Sequence, residues 1–321
     1  MALRPLDNAL PVTPERPKKQ AKILIPAHKE KQQLPQIGVN DENKAPLPQP
    51  SSADASIDYI SSEDLKAFQD PDVKIQGLVG GLESKDWLKV CDSLNDVRRF
   101  ALYHSGLLLP ILDKVVSVMV KAIKNPRSAL CKTSIMAAAD IFMAFGEKLL
   151  DSTSSDLLQL LLKASQDKKF VCEEADRALL AMVEAMAPLP LLHKLGLYVG
   201  HTNLRVRAKA AISISNCVSR MVSEDNNFTL IIITSIADMY ENASQDLKSM
   251  EEFGLVALIK IASNLLNDKL PEAREAARGI AISLFRALTE NEEKKQEVWQ
   301  SFCQSNLPAI HAQAMVKLVS S

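Results

Sequence analysis

The chain has 321 residues with a formal net charge of −1; 47% are hydrophobic, only 5% aromatic, and 10 are glycine. Near-neutrality excludes wholesale electrostatic binding to nucleic acid, and apolar content carried mainly by Leu, Ala, Val and Ile favours packed helices over sheets. The length suits one large domain or two ordinary ones.

Nine of the 16 prolines fall in residues 1–50, a stretch poor in large apolar residues and rich in Gln, Lys and Asn. Such a segment buries too little surface to fold, so residues 1–60 are predicted to be a flexible tail ahead of a folded domain over 61–321. Arg4, Arg16, Lys18, Lys19, Lys22, Lys29, Lys31 and Lys44 make that tail mildly basic, and Thr13-Pro14 beside Lys18 and Lys19 fits a proline-directed phosphosite. The start, "MALRPLDNALPVTPERP", has no apolar signal core. The five cysteines (Cys91, Cys131, Cys172, Cys217 and Cys303) are widely spaced without ligand spacing. They are expected to be reduced, mostly packed thiols of a soluble cytosolic or nuclear protein.

"SSEDLKAF" (61–68) carries a cap residue and early acids, which predicts a helix start. In "GLVGGLESK" (77–85) the glycines are expected to break the chain before the first repeat helix, and Lys85 follows Ser84 rather than glycine, so this is no phosphate-binding loop. Beyond it the apolar residues recur every three or four positions. One stripe is Leu108, Leu112, Val115, Met119 and Ile123; another is Val171, Ala175, Ala178 and Met182; a third is Val206, Ala210, Ile214, Cys217 and Met221. These are amphipathic helices, and no strand alternation is sustained past residue 70. The segment "FTLIIITSIADMY" (228–240) reads as an inserted helix; its apolar run "LIIITSIA" (230–237) is too short to span a bilayer. "NEEKKQEVWQSFCQSNL" (291–307) is polar and irregular.

The helices repeat. Four polar loops are each followed by an anchor residue and a small residue four positions later: Leu130 with Ser134, Val171 with Ala175, Val206 with Ala210, and Ala273 with Ala277. Trp87, with Cys91 four on, fits the same frame, and successive anchors stand 43, 41, 35 and 67 residues apart. The first three intervals are near the length of a HEAT or armadillo helix pair. The fold class is therefore an all-α solenoid whose second helices begin at the anchors, so that the preceding loops share one edge. The loops carry Lys85, Trp87 and Lys89, then Lys124 and Arg127, then Lys168 and Lys169, then Arg205, Arg207 and Lys209, then Lys269 and Arg274. A cation on every loop of a nearly neutral chain suits a large acidic partner.

The stretches "KDWLKVCDSLNDVRRF", "NPRSALCKTSIMAAADIF", "KKFVCEEADRALLAMV" and "HTNLRVRAKAA" resemble TOG domains of the CLASP N-terminal and TOG-array axonemal regulator branches, over roughly residues 70–290. The resemblance implies a non-enzymatic protein that binds tubulin or microtubules through the intra-repeat loop edge of a single TOG-like domain, in the cytoplasm and on the cytoskeleton. It implies Trp87, Lys85, Lys89, Lys124, Arg127, Lys168, Lys169, Arg205, Arg207 and Arg274 as the contact set. Two roles stay open for Trp87, an interface anchor or a plug on the end of the first helix pair. Arg207 and Arg274 also fit bridges inside the solenoid. The chain departs from the HEAT pattern at Cys131 and Cys172, where an arginine would follow the anchor. "KILIPAHKEK" (22–31), with Ile25-Pro26, is similar to motifs that dock on plus-end-tracking proteins, although Ile23 stands where the motif has Ser or Thr. The other function class is a HEAT or armadillo scaffold for a non-tubulin partner. No nucleophile, base and orienter group together, His28, His104, His193, His201 and His311 share no ligand spacing, and no cofactor, metal or membrane is expected.

Overall fold

The computed structural model describes residues 59–149, 153–224, 254–290 and 292–320, all within the second of the chain's two units, Pro50–Ser321. The expected tail with Thr13 and Ile25-Pro26, and the expected helix over 228–240, lie outside the described residues. Among the described residues every regular element is helical. Helices α1 (Pro71–Leu82) and α2 (Trp87–Tyr103) form the first pair, and a short α3 (Ser105–Leu108) leads into α4 (Leu112–Ile123) and α5 (Ser128–Phe145). Then come α6 (Thr153–Ala164) with α7 (Lys169–Ala185), and α8 (Pro188–Gly196) with α9 (Leu204–Glu224). After them stand α10 (Leu255–Leu265) with α11 (Pro271–Thr289), and α12 (Lys295–Asn306) with α13 (Ala309–Ser320).

Each first helix packs on its own second helix, and the second helices stack in order: α2 on α5, α5 on α7, α7 on α9, and α9 on α11. This is an α-solenoid of HEAT-type pairs. All three sequence stripes face its core, with Val115, Met119, Ala175, Met182, Val206 and Ile214 fully buried. Helices α1, α8 and α11 open on proline, whose fixed φ suits the first helical position. Helix α5 is long and apolar enough by composition to cross a membrane, but it is 72% buried inside the stack, which accounts for its hydropathy. All five cysteines are free; burial pushes the Cys91 thiol up to about 11 and that of Cys217 to about 12.

Four expectations are corrected. Helix α2 does begin at Trp87, but the other second helices begin two residues before their anchors, so Leu130, Val171, Val206 and Ala273 are third residues while Trp87 is a first. The glycines do not break the chain: Gly77, Gly80 and Gly81 lie within α1, and a side chain at Gly81 would collide with the Ser93 hydroxyl of α2. Glycine there lets the two helices approach closely. The polar stretch 291–307 supplies a core, since Trp299 is fully buried, lies edge-on to Phe285 and stacked on Phe302, and donates its Nε1–H to the Met315 carbonyl at 3.3 Å.

The fourth correction is at 61–68. Ser61 closes a single turn, its carbonyl accepting the Asp64 N–H at 3.2 Å, and the chain then runs without helix to Pro71. Side chains of α2 take the carbonyls that a helix would need. Arg98 Nη1 donates to the Ile60 carbonyl (2.7 Å), and the Tyr103 hydroxyl donates to that of Leu65 (2.7 Å). Leu65 is buried, and Phe68 lies against Phe100 with ring centroids 4.9 Å apart. Residues 59–70 thus form a strap across α2 and α5.

Arg98, 1% exposed, centres this arrangement. Its Nε donates to Asp140 Oδ2 of α5 at 2.6 Å and its Nη2 to Ser62 Oγ at 3.1 Å. Ser62 Oγ itself donates to Asp140 Oδ1 at 2.7 Å. Removing one member of a buried pair leaves the other charge uncompensated. Asp140→Ala should therefore cost about 3–5 kcal/mol in a denaturant titration, whereas Arg98→Met with Asp140→Leu should recover most of that loss. Equal losses in the two variants would show that the ion pair is not what holds α2 to α5.

Candidate functional site

Every helix pair must turn between its members, and four of the turns carry a side chain that accepts a backbone N–H two residues on. Ser84 Oγ accepts from Asp86, Asn125 Oδ1 from Arg127, His201 Nδ1 from Asn203 and Asp268 Oδ1 from Leu270. Each acceptor stands three residues before its second helix. Asp86, as N-cap of α2, then accepts from the Leu88 N–H at 3.0 Å.

The residue after each buried anchor closes the turn from the other side. Arg207 Nη1 donates to the His201 carbonyl (3.0 Å) and Arg274 Nη1 to that of Asp268 (2.7 Å). Cys131 Sγ donates to the Ile123 carbonyl (3.2 Å) and Cys172 Sγ to that of Gln166 (2.8 Å). The cysteines at the arginine positions therefore perform the same closure. Burial pushes both thiols up, which keeps them protonated and able to donate.

Adjacent turns also touch. The Arg127 guanidinium lies 4.1 Å from the centroid of the Trp87 ring. Lys168 Nζ donates to Ser128 Oγ at 2.7 Å, Arg205 pairs with Asp167, and Arg207 Nε meets Asp268 Oδ2 at 2.6 Å. These contacts join the five turns into one continuous edge.

The cations on that edge fall into two groups. Lys85, Lys89, Lys124, Arg127, Lys168 and Lys169, on the first three turns, are exposed. Lys169 is 88% exposed and reaches Glu173 only at 3.7 Å. On the fourth and fifth turns the charges of Arg205, Arg207, Lys209 and Arg274 are tied within the solenoid. Arg205 is exposed but fixed to Asp167, and Lys209 is held by Asp176 at 2.7 Å. The Arg207 side chain is 21% exposed on its bridge to Asp268, and Arg274 is half-buried on the turn's own carbonyls. Lys269 is exposed. Trp87 is half-buried, one part against the core and one face under Arg127.

Asp268 is the edge residue that sequence reading passed over. Its side chain is 4% exposed and takes both the Leu270 N–H and the Arg207 guanidinium. The signal was present: an Asp three residues before a helix-opening Pro is an Asx-turn position. Leu88 (38% exposed), Phe170 (43%) and Leu197 (69%) were passed over as well; they set apolar surface among the edge charges.

No family model matches the chain. TOG array regulator of axonemal microtubules protein 1 of Mus musculus is 31% identical over 138 residues, covering 43% of this chain and 8% of that protein. Its Homo sapiens counterpart is 27% identical over 133 residues, covering 41% and 8%. Sequence similarity ties this chain to the TOG-array regulators. The matched region is a small fraction of those regulators' own length. Among solved structures, the MAST/Orbit N-terminal domain superposes with a TM-score of 0.49 at 15% identity, covering 75% of this chain and 94% of that one. The TOG domain of C. elegans Zyg9 gives 0.48 at 16%, covering 82% and 91%.

Asp268 makes the edge sensitive to acid. Burial pushes its carboxyl up, but the Leu270 N–H and the Arg207 and Arg274 charges outweigh that and hold it below the usual carboxylate range. A folded pKa below the unfolded one means stability that is present above about pH 4 and is lost as pH falls through the folded value. Asp268→Asn should lower the urea midpoint near neutrality and flatten its fall on acidification. A parallel, merely displaced pH profile would rule out Asp268 as the titrating group.

Proposed function

We propose that this chain is a non-enzymatic binder of tubulin or microtubules that acts through the first three turns of its loop edge. The observation that carries the reading is one contiguous stretch of three turns that carries six exposed cations and a half-buried tryptophan capped by one of them, Arg127. Exposed cations of one sign steer and orient an acidic partner, and a rigid aromatic supplies the desolvated anchor that charges lack. The similarity to regulators named for axonemal microtubules supports tubulin as that partner and the microtubule cytoskeleton as the place. On this reading Arg205, Arg207 and Arg274 hold the edge's shape, and the six N-terminal cations make the contact. A plus-end-tracking partner for Ile25-Pro26 is a separate proposal about residues outside those described.

Two measurements test the reading. Reversing Lys85, Lys89, Lys124 and Lys169 to Glu leaves Arg127 on Trp87 and Lys168 on Ser128, so the fold should persist. Association with tubulin should slow by about tenfold or more at low salt and the difference should shrink as salt rises. Association as fast as the parent's at low salt would move the partner off this edge and favour the scaffold reading.

Trp87→Ala should weaken binding by about 2 kcal/mol or more while circular dichroism keeps the parent's helicity. The melting temperature should fall only modestly, because Trp87 is half-buried rather than enclosed. Unchanged affinity with a large fall in melting temperature would assign the tryptophan to packing alone.

A further inference from the structure

The strap from Tyr59 to Asp70 begins at two serines, one seated in the ion pair beneath it and one exposed. Ser62 Oγ sits between Arg98 and Asp140, the Ile60 carbonyl lies on Arg98, and the Tyr59 ring lies under Lys132 at 4.2 Å. Ser61 is exposed, and acids follow it at the second and third positions, Glu63 and Asp64. Its hydroxyl donates to Asp64 Oδ2 at 2.8 Å and accepts the Asp64 N–H at 3.3 Å, so this side chain reinforces the backbone bond that closes the turn at the start of the strap.

We propose that Ser61 is the phosphoacceptor of an acid-directed protein kinase, and that its phosphorylation releases the strap from the face formed by α2 and α5. In the transfer, Ser61 Oγ bonds to the γ-phosphorus of a nucleoside triphosphate held by the kinase. The bond from that phosphorus to the bridging oxygen breaks, the nucleoside diphosphate leaves, and the serine proton passes to the kinase's base.

The product carries about −1.5 to −2 charge at neutral pH on an atom that now touches a carboxylate. Asp64, which accepts from the unmodified hydroxyl, meets it with like charge, and Glu63 lies two residues along the chain. The two cations that seat the residues beside Ser61 are both engaged. Arg98 is buried and already donates to Asp140, Ile60, Asn95 and Ser62. Lys132 lies over Tyr59 and within 3.8 Å of Glu174. Neither can meet the phosphate without abandoning a contact that seats the strap. The phosphorylated turn therefore opens, and the Ile60 and Leu65 carbonyls leave Arg98 and Tyr103.

The test uses the full chain with casein kinase II, an acid-directed enzyme, and ATP. Mass spectrometry of the peptide spanning residues 59–68 should find phosphate in the parent and in Ser62→Ala but not in Ser61→Ala. Once modification is stoichiometric, amide exchange across residues 59–68 should quicken by about tenfold or more, while α4 to α11 keep the parent's protection. No phosphate on that peptide in the parent, or phosphate on it that persists in Ser61→Ala, would overturn the assignment of the site. Full modification with unchanged or slower exchange would overturn the release, because it would mean that Arg98 or Lys132 takes up the phosphate and tightens the strap.

Discussion

The edge rests on one constraint: each first helix ends in carbonyls that no later turn of that helix can reach. In this solenoid the residue after the anchor reaches back to close them, or the turn that follows them, as Arg207 and Arg274 do with guanidinium groups and Cys131 and Cys172 with thiols. Because the closing residue sits one place after a buried anchor, the depth of the anchor sets the height of the turn. Anchors that share one core therefore place their turns along one line. The stacking of α2, α5, α7, α9 and α11 supplies that core. The edge is thus a consequence of packing, and its side chains are free to vary in chemistry.

That freedom is used unevenly. On the fourth and fifth turns Arg205, Lys209 and Arg207 meet Asp167, Asp176 and Asp268 from neighbouring elements. The partly enclosed bridge between Arg207 and Asp268 couples two turns whose helices, α9 and α11, also pack directly. On the first three turns no buried acid answers the cations. Lys85, Lys89 and Lys124 face solvent, where an isolated charge adds little to stability but strengthens the field met by an approaching partner. Charge thus passes along the edge from exposed on the first three turns to largely tied on the last two.

The apolar stripes were legible because periodicity reports burial directly, and every member of the three stripes is buried. Local signals failed where a distant partner overrode them. "SSEDLKAF" carries a genuine cap, and its turn does form at Ser61; propagation stops because Arg98 and Tyr103, some 38 residues away, claim the carbonyls. The α1 glycines read as breakers since the close approach of Ser93 cannot be seen from their own neighbours. Trp299 hid in a polar sequence because only its contacts with Phe285, Phe302 and Met315 make it core. At the edge, the loop cations were readable as a set, but which of them were tied depended on acids in other repeats.

Trp87 shows why being two residues out of register matters. At the anchor's place in the other helices, a side chain points into the stack and is enclosed; at the first position of α2 the ring is only half-covered. Left bare, its outer face would be free to turn and would lose conformational freedom on meeting a partner. Arg127 changes that. Its guanidinium over the ring fixes the indole by cation–π attraction while its own charge remains exposed. The core below and the guanidinium above hold the tryptophan in place before any contact is made. Interfaces gain affinity when such ordering is complete in the free protein. The same stack joins the first two turns, so a displacement of α5 against α2 would move the aromatic and its neighbouring charges together.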